Sequence, residues 1–149
     1  MKVYLAADHN GFDYKQQLAD FLRRSGHEVI DDSKQIKTPD DDFPEFAGRA
    51  VTDLLADTDK DSRAILICGS GQGMCMAANR FKGIRASLCW SVEEARAARN
   101  DDDSNVLCLA ARYTEFEMAK SIVSTWLVTP FAGAPRFVRR LNQLDNLGF

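Results

Sequence analysis

Short apolar runs alternate along this chain with segments whose apolar residues recur every three or four positions. Lys2–Ala6 is the first run and reads as a strand. Gly11–Ser25 follows with Phe12, Leu18, Phe21 and Leu22 on one helical face, and Gly26 ends that helix. Glu28–Asp31 is a second strand. Residues 32–44 are polar, carry Pro39 and Pro44, and read as a loop. Glu45–Asp57 returns to helical spacing, with Phe46, Val51, Leu54 and Leu55 for the core. Ala64–Cys68 is the most apolar run, which suits a central strand buried on both faces. A glycine turn, Gly69–Gly73, leads into a helix through Arg80, and Gly83 precedes a fourth strand, Ile84–Cys89. Glu93–Asn100 is a short helix and Asn105–Leu109 a fifth strand. Thr114–Leu127 is a long helix, with Thr114 as cap and Glu117 three residues on, the spacing of a capping box. After a loop at Pro130–Ala134, Pro135–Leu144 forms the last helix. No strand follows it, so the segment of about 135–147 is expected to pack on a partner subunit.

Strands that alternate with helices predict a parallel sheet covered on both faces. No internal repeat or linker divides the 149 residues, so residues 1–149 read as a single α/β domain. Nineteen Lys and Arg against 22 Asp and Glu give a net charge of −3, without the basic excess that nucleic-acid binding requires. No apolar run approaches the ~18 residues of a membrane span, and no leader pattern opens the chain. Neither nucleic acid nor membrane is therefore expected as a partner, and the expected location is cytoplasmic. Cys68, Cys75, Cys89 and Cys108 lie in or beside apolar runs, which fits free thiols in a reducing compartment. With two histidines and no Cys-x-x-Cys pair, a structural zinc site is not expected.

Parallel sheets carry their sites at the carboxyl ends of strands. Here the first strand runs into Asp8-His9-Asn10-Gly11 and the third into Cys68-Gly69-Ser70-Gly71-Gln72-Gly73. Glycines at the start of a helix can turn N–H groups toward an anion, and a thiol there can serve as base or nucleophile. The alternative is a packed strand-end cysteine. The Gly-x-Gly-x-Gly spacing fits neither the dinucleotide nor the phosphate-loop pattern. Asp8 can cap the helix that follows or bind substrate. His9 is the histidine placed for chemistry; His27 reads as structural. Arg136 and Arg140 share a helical face and, with Arg139, can clamp a phosphate or form a solvated basic surface, and Arg112 after the fifth strand is another phosphate candidate. Cys75, Cys89 and Cys108 read as small core residues. Asp40–Asp42 and Asp101–Asp103 read as solvated acidic loops.

Ala-Ala-Asp-His-Asn-Gly-Phe at 6–12, followed by Lys15, resembles the start of the ribose-5-phosphate isomerase B and galactose-6-phosphate isomerase family. So do Ile65-Leu-Ile-Cys-Gly-Ser-Gly-Gln-Gly-Met, Ala77-Ala-Asn79, Lys82-Gly-Ile-Arg85-Ala, Ser104-Asn105-Val106-Leu107, Ala111-Arg112 and Arg136-x-x-x-Arg140. The resemblance implies a three-layer α/β/α sandwich around a five-stranded Rossmann-like sheet. It implies a homodimer, or a dimer of dimers, with sites at the subunit interface. It implies metal-independent, cofactor-free aldose–ketose isomerisation of a sugar phosphate through a cis-enediolate, with ribose 5-phosphate and ribulose 5-phosphate as the leading pair. Cys68 matches the proton-transferring base, and Ser70 a hydroxyl that handles protons at the sugar oxygens. Gly69, Gly71 and Gly73 match the enediolate-binding loop, and Asp8 a sugar-hydroxyl binder. His9, Arg112, Arg136 and Arg140 match phosphate-binding positions. One departure stands out. The family's His-Asn pair, whose His serves ring opening, is replaced by Asp101-Asp102, which places Asp101 in the catalytic position and Asp102 beside substrate. Phe137 and Ala134-Pro135 also depart from the usual residues around Arg136. The replacement of that His leaves two alternatives: isomerisation of a different sugar phosphate, or a non-catalytic subunit that requires a partner.

Overall fold

The computed structural model describes residues 1–31 and 36–148. Its strands are β1 (Lys2–Ala7), β2 (Glu28–Asp31), β3 (Arg63–Cys68), β4 (Ala86–Leu88) and β5 (Val106–Ala110). All pair in parallel, in the order β2-β1-β3-β5-β4. The helices among the described residues are α1 (Phe12–Arg24), α2 (Phe43–Ala56), α3 (Gln72–Ala78), α4 (Val92–Asn100), α5 (Phe116–Val128) and α6 (Pro135–Leu144).

Side chains that alternate along each strand divide the core in two. Val3, Leu5, Ile65, Ile67, Leu107 and Leu109 face α1, α4 and α5, and meet Leu18, Leu22, Ile122 and Trp126 there. Tyr4, Ala6, Leu66, Cys68, Val106 and Cys108 face α2 and α3, and meet Phe46, Val51, Leu54 and Met74. The result is the expected three-layer α/β/α sandwich. β3 is the central strand and is buried from Ala64 to Cys68, which is why its sequence is apolar without alternation. No helix among the described residues is long and apolar enough to cross a membrane.

Several boundaries differ from the sequence expectation. β4 is reduced to Ala86–Leu88, and α3 stops at Ala78. Pro44 lies in the first turn of α2 rather than in the preceding loop, where its missing N–H costs nothing. Residues 32–35 of the expected loop lie outside the described residues. The capping box at Thr114 does not form. α5 begins at Phe116 with Glu115 as N-cap and no side-chain cap bond. Thr114 is buried instead, and its carbonyl accepts from the Tyr14 hydroxyl at 2.9 Å. α6 buries Phe137 and Leu141 against its own chain, leaving Val138 and Leu144 exposed.

Since β1 connects outward to β2 while β3 lies on its other side, chain direction diverges between β1 and β3. That divergence opens a crevice at their carboxyl ends. The turn after β1 fits there because Gly11 has no side chain: a Cβ would stand 2.6 Å from the Ile67 carbonyl oxygen of β3. At the opposite end of the sheet, buried Ser104 joins two helices to the start of β5. Its hydroxyl accepts from Trp126 Nε1 at 2.7 Å and its carbonyl from Arg99 Nη1 at 2.6 Å. Asp103 at this end is not a solvated acid, since it accepts from both Arg99 at 2.8 Å and Arg85 at 3.0 Å. Ser104→Ala strands the indole N–H in the core and is expected to cost about 1–3 kcal/mol, read by urea denaturation. Gly11→Ala must push the β1–α1 turn off β3, and is expected to lower the melting temperature and to lose activity together.

Candidate active site

Cys68 ends β3, buried, with its Sγ accepting the Gly71 N–H at 3.1 Å. The chain then turns sharply into α3. Gly71 makes the turn at φ 73°, where an L side chain is strained. A Cβ there would also stand 2.4 Å from Leu88 Cδ1 and 3.1 Å from the Leu109 backbone. Gly73 lies under the Phe43 ring, which a Cβ would approach to 2.7 Å. Gly69 is overlaid by Arg112, whose guanidinium carbon would lie 3.1 Å from a Cβ. Arg112 is held there by its own backbone N–H, which donates to the Gly69 carbonyl at 3.0 Å. Ser70 is partly exposed at the top of the turn, and its hydroxyl accepts weakly from the Gln72 N–H at 3.4 Å.

The turn after β1 forms the other wall. Asp8 is buried, and its Oδ1 accepts from the N–H groups of Asn10 at 2.9 Å and Gly11 at 3.1 Å. One carboxylate oxygen thus shapes the turn. Oδ2 has no hydrogen-bond partner among the described residues, so turn-shaping and substrate binding are compatible roles. His9 is bound by a residue the sequence reading dismissed. Asp41 Oδ1 accepts the His9 backbone N–H at 2.9 Å and contacts Nδ1 at 2.8 Å. Asp41 is therefore not part of a solvated acidic loop. Its carboxylate holds the His9 pKa above the ordinary value. Asn10 bridges outward from His9, with its amide nitrogen 3.1 Å from Nε2 and its oxygen accepting from Arg112 Nη2 at 2.9 Å. Asp8, His9 and Asp41 each bring a ligand-type atom within 4.8 Å of the others. Hydrogen bonds already engage one such atom on each, so the group reads as an anchor for the turn.

The remaining expected residues lie elsewhere. β5 pairs Val106 with Ala64 and Ala110 with Cys68, so the segment before Val106 is at the amino end of the sheet. Four residues of strand separate those levels by about 13 Å. Asp101 caps the end of α4, and its carboxylate accepts from Asn100 at 2.7 Å. Asp102 lines a cavity of about 430 Å³ with Arg85, Ser87 and Leu144. Partial burial and the Asp101 charge raise its pKa, and the nearby Arg140 opposes this. Arg136 and Arg140 are exposed on α6, with Arg136 stacked 4.4 Å over the Phe137 ring. One chain therefore gathers Asp8, His9, Cys68, the glycine turn and Arg112 at one end. It carries Asp101, Asp102 and Arg140 at the other.

The other expectations mostly hold. Cys89 and Cys108 are buried thiols, and burial pushes Cys89 up to about 12. Cys75 is not fully core: it is half-buried, with its thiol donating to the Ala86 carbonyl at 3.4 Å. His27 sits before β2 at the far end, its Nδ1 buried without a partner and its pKa lowered chiefly by burial. Asn10 lies in the motif at 6–12 but was given no role there, and Asp41 gave no usable signal in the sequence. One aspartate among three carries nothing to mark it as the one that turns inward.

The sequence profile of the Ribose/Galactose Isomerase family matches residues 3–144. Ribose-5-phosphate isomerase B of Mycolicibacterium paratuberculosis is 40% identical over 144 residues, covering 97% of this chain and 89% of that protein. D-erythrulose-4-phosphate isomerase of Pectobacterium atrosepticum is 36% identical over 134 residues, covering 89% and 86%. Among solved structures, ribose-5-phosphate isomerase B from Mycoplasma genitalium with bound ribulose-5-phosphate superposes with a TM-score of 0.91 at 35% identity, covering 97% and 93%. The Thermotoga maritima ribose 5-phosphate isomerase gives 0.90 at 38%, covering 97% of each chain. With its Cys68 turn, its Asp8-His9 turn and this match along almost its whole length, the chain belongs to the ribose/galactose isomerase family.

Proposed function

We propose that this protein is an aldose–ketose isomerase of a sugar phosphate, with Cys68 as the base. The observation that carries the reading is the placement of one buried thiol at the end of the central strand, inside a glycine turn overlaid by Arg112, which Asn10 links to His9. A carbon acid of this kind needs a base, donors for the oxyanion and an anchor for the phosphate. In the aldose-to-ketose direction, the Cys68 thiolate removes the C2 proton. The electron pair moves onto the carbonyl oxygen, giving a cis-enediolate faced by N–H groups of the Gly69–Gly73 turn. Ser70 passes a proton between O1 and O2, and Cys68 returns its proton to C1. Asp8 Oδ2 accepts from a sugar hydroxyl, and His9 and Arg112 hold the phosphate.

Asp101, Asp102, Arg136 and Arg140 enter this scheme through a second copy of the chain. A twofold pair, alone or within a dimer of dimers, can lay the amino-end group of each copy over the Cys68 turn of the other. The exposed Val138 and Leu144 of α6 favour such an interface.

Ribose 5-phosphate and ribulose 5-phosphate are the leading pair, supported by the names of most relatives described above. A second reading is favoured by Asp101, which stands where the resembling enzymes carry the ring-opening His, and by the Pectobacterium relative named for a four-carbon substrate. A tetrose 4-phosphate cannot close a furanose, because its O4 is esterified, and so needs no ring-opening group.

Cys68→Ala is expected to lower kcat by about 10²–10⁴-fold on the working substrate while leaving the melting curve in place. Full activity in that variant would overturn the mechanism. Initial rates of the wild type on ribose 5-phosphate, erythrose 4-phosphate, allose 6-phosphate and galactose 6-phosphate decide the substrate. Turnover of erythrose 4-phosphate well above the others supports the four-carbon reading, and turnover of ribose 5-phosphate above the others supports the leading pair. Inactivity of the purified homomer on all four would instead support the partner-requiring subunit.

A further inference from the structure

His9 belongs to a chain of hydrogen bonds whose direction is set by its ends. Arg112 can only donate, so the oxygen of the Asn10 amide faces it, at 2.9 Å. The Asn10 nitrogen then faces His9 Nε2, at 3.1 Å, and must donate to it. At the far end, Asp41 Oδ1 lies 2.8 Å from His9 Nδ1 and can only accept while ionised. Every donor therefore points the same way: Arg112 to Asn10, Asn10 to His9, His9 to Asp41. This arrangement holds the imidazole as its Nδ1–H tautomer, with Nε2 free of a proton and turned along the chain toward Arg112. The same Asp41 oxygen also takes the His9 backbone N–H at 2.9 Å, so that main chain and ring of His9 are fixed to one carboxylate.

Asp41 is brought inward by an unusual stretch of backbone. The preceding residue, Asp40, has φ 61°, the left-handed region that a non-glycine residue seldom adopts. Two residues beyond Asp41, the Phe43 ring covers Gly73 of the Cys68 turn. The segment leading into α2 thus joins both walls of the site, by a hydrogen bond on one side and an aromatic contact from the first residue of α2 on the other. The Asp41 side chain is only 9% exposed, so its charge is poorly screened by water.

We propose that Asp41 is the positioning residue for His9: it fixes the tautomer and supplies the countercharge that lets Nε2 take up a proton when a phosphate group displaces Asn10 from it. The inference rests on the reading that His9 meets the substrate phosphate. In the empty site the Asn10 amide stabilises the neutral ring. A dianion at Nε2 reverses that preference, because the ring can now donate there while Nδ1 still donates to Asp41. His9 then binds the phosphate as a cation formed on demand, beside the permanent cation of Arg112. Among the described residues, Asp8 and Asp40 are the other charged groups that act on the ring. Both are acidic and both favour the protonated ring. Since the His9 pKa is raised, the cation is present below that raised value and is lost as pH rises through it.

The chain has two histidines, so proton NMR of the imidazole Cε1–H resonances reads His9 directly, with His9→Gln to assign it and His27 as internal reference. The probe is inorganic phosphate, titrated into the wild type, Asp41→Asn and Asp41→Glu across pH 5.5–9. In the wild type, saturating phosphate is expected to raise the His9 midpoint by about one pH unit, a tenfold change in proton affinity. In Asp41→Asn, which keeps the shape and loses the charge, the free midpoint falls and the phosphate-induced rise is lost. Asp41→Glu restores part of it. In turnover assays at pH 8, Asp41→Asn is expected to raise KM about tenfold with kcat within about twofold, because the base is untouched. An Asp41→Asn titration that superimposes on the wild type, while phosphate still moves His9, would overturn the role of Asp41 and leave the phosphate reading standing. A His9 resonance in the wild type that ignores phosphate would overturn that reading itself. An unmoved His27 resonance shows that a variant has kept its fold, and Asp41→Glu carries the test if Asp41→Asn has not.

Discussion

Between the carboxyl ends of β1 and β3 the backbones come so close that Gly11 has no room for even a methyl group, which would lie 2.6 Å from the Ile67 carbonyl oxygen. This approach sets the geometry of the site. It brings the Asp8-His9 turn against the residue before Cys68, so that two segments almost 60 residues apart in sequence form the two walls of one site. It follows from strand order: β1 sends its connection to one side and β3 sends its own to the other, and the divergence leaves a crevice that only a turn can fill. β5 completes the arrangement from the opposite side. Its pairing with β3 places Ala110 level with Cys68, and Arg112 two residues later lies over Gly69.

Much of this was legible in the sequence because it depends on short-range pattern. The unalternating apolar run of Ala64–Cys68 marked the central strand, and the glycines after it marked the turn that exposes the site. The readings that failed depended on tertiary competition. Thr114 has the residue type and spacing of a capping box. Packing draws it into the core, where its carbonyl serves Tyr14, and the helix starts two residues later. Asp41 failed for the opposite reason. Composition marks three successive aspartates as a solvated loop, and nothing local shows that a left-handed residue before the second will turn it onto His9.

The division of the expected site between two ends of the sheet is the main thing that a linear motif could not express. Asp8 and His9 follow β1, Cys68 ends β3 and Arg112 follows β5, and so they share an edge by construction. Asp101 and Asp102 precede β5, and the register leaves a strand's length between them and Cys68. Residues that match one family pattern in order are thus not neighbours within one chain. The proposed pairing of copies follows from this geometry, with each copy contributing to two sites.

The glycines of the two turns also bear on how such a site can change over generations. Gly11, Gly71 and Gly73 are each closed by a different part of the molecule: the β3 backbone, Leu88 with the Leu109 backbone, and the Phe43 ring. A mutation at any of them requires a compensating change somewhere else, so the proposed proton-transfer machinery is expected to drift slowly. Asp101 is under no such restraint. It sits at a helix end, partly exposed, where its carboxylate accepts from the Asn100 amide. Under the proposed mechanism, lineages sharing this scaffold have a short route to new sugars at that position, while the proposed chemistry at Cys68 stays fixed.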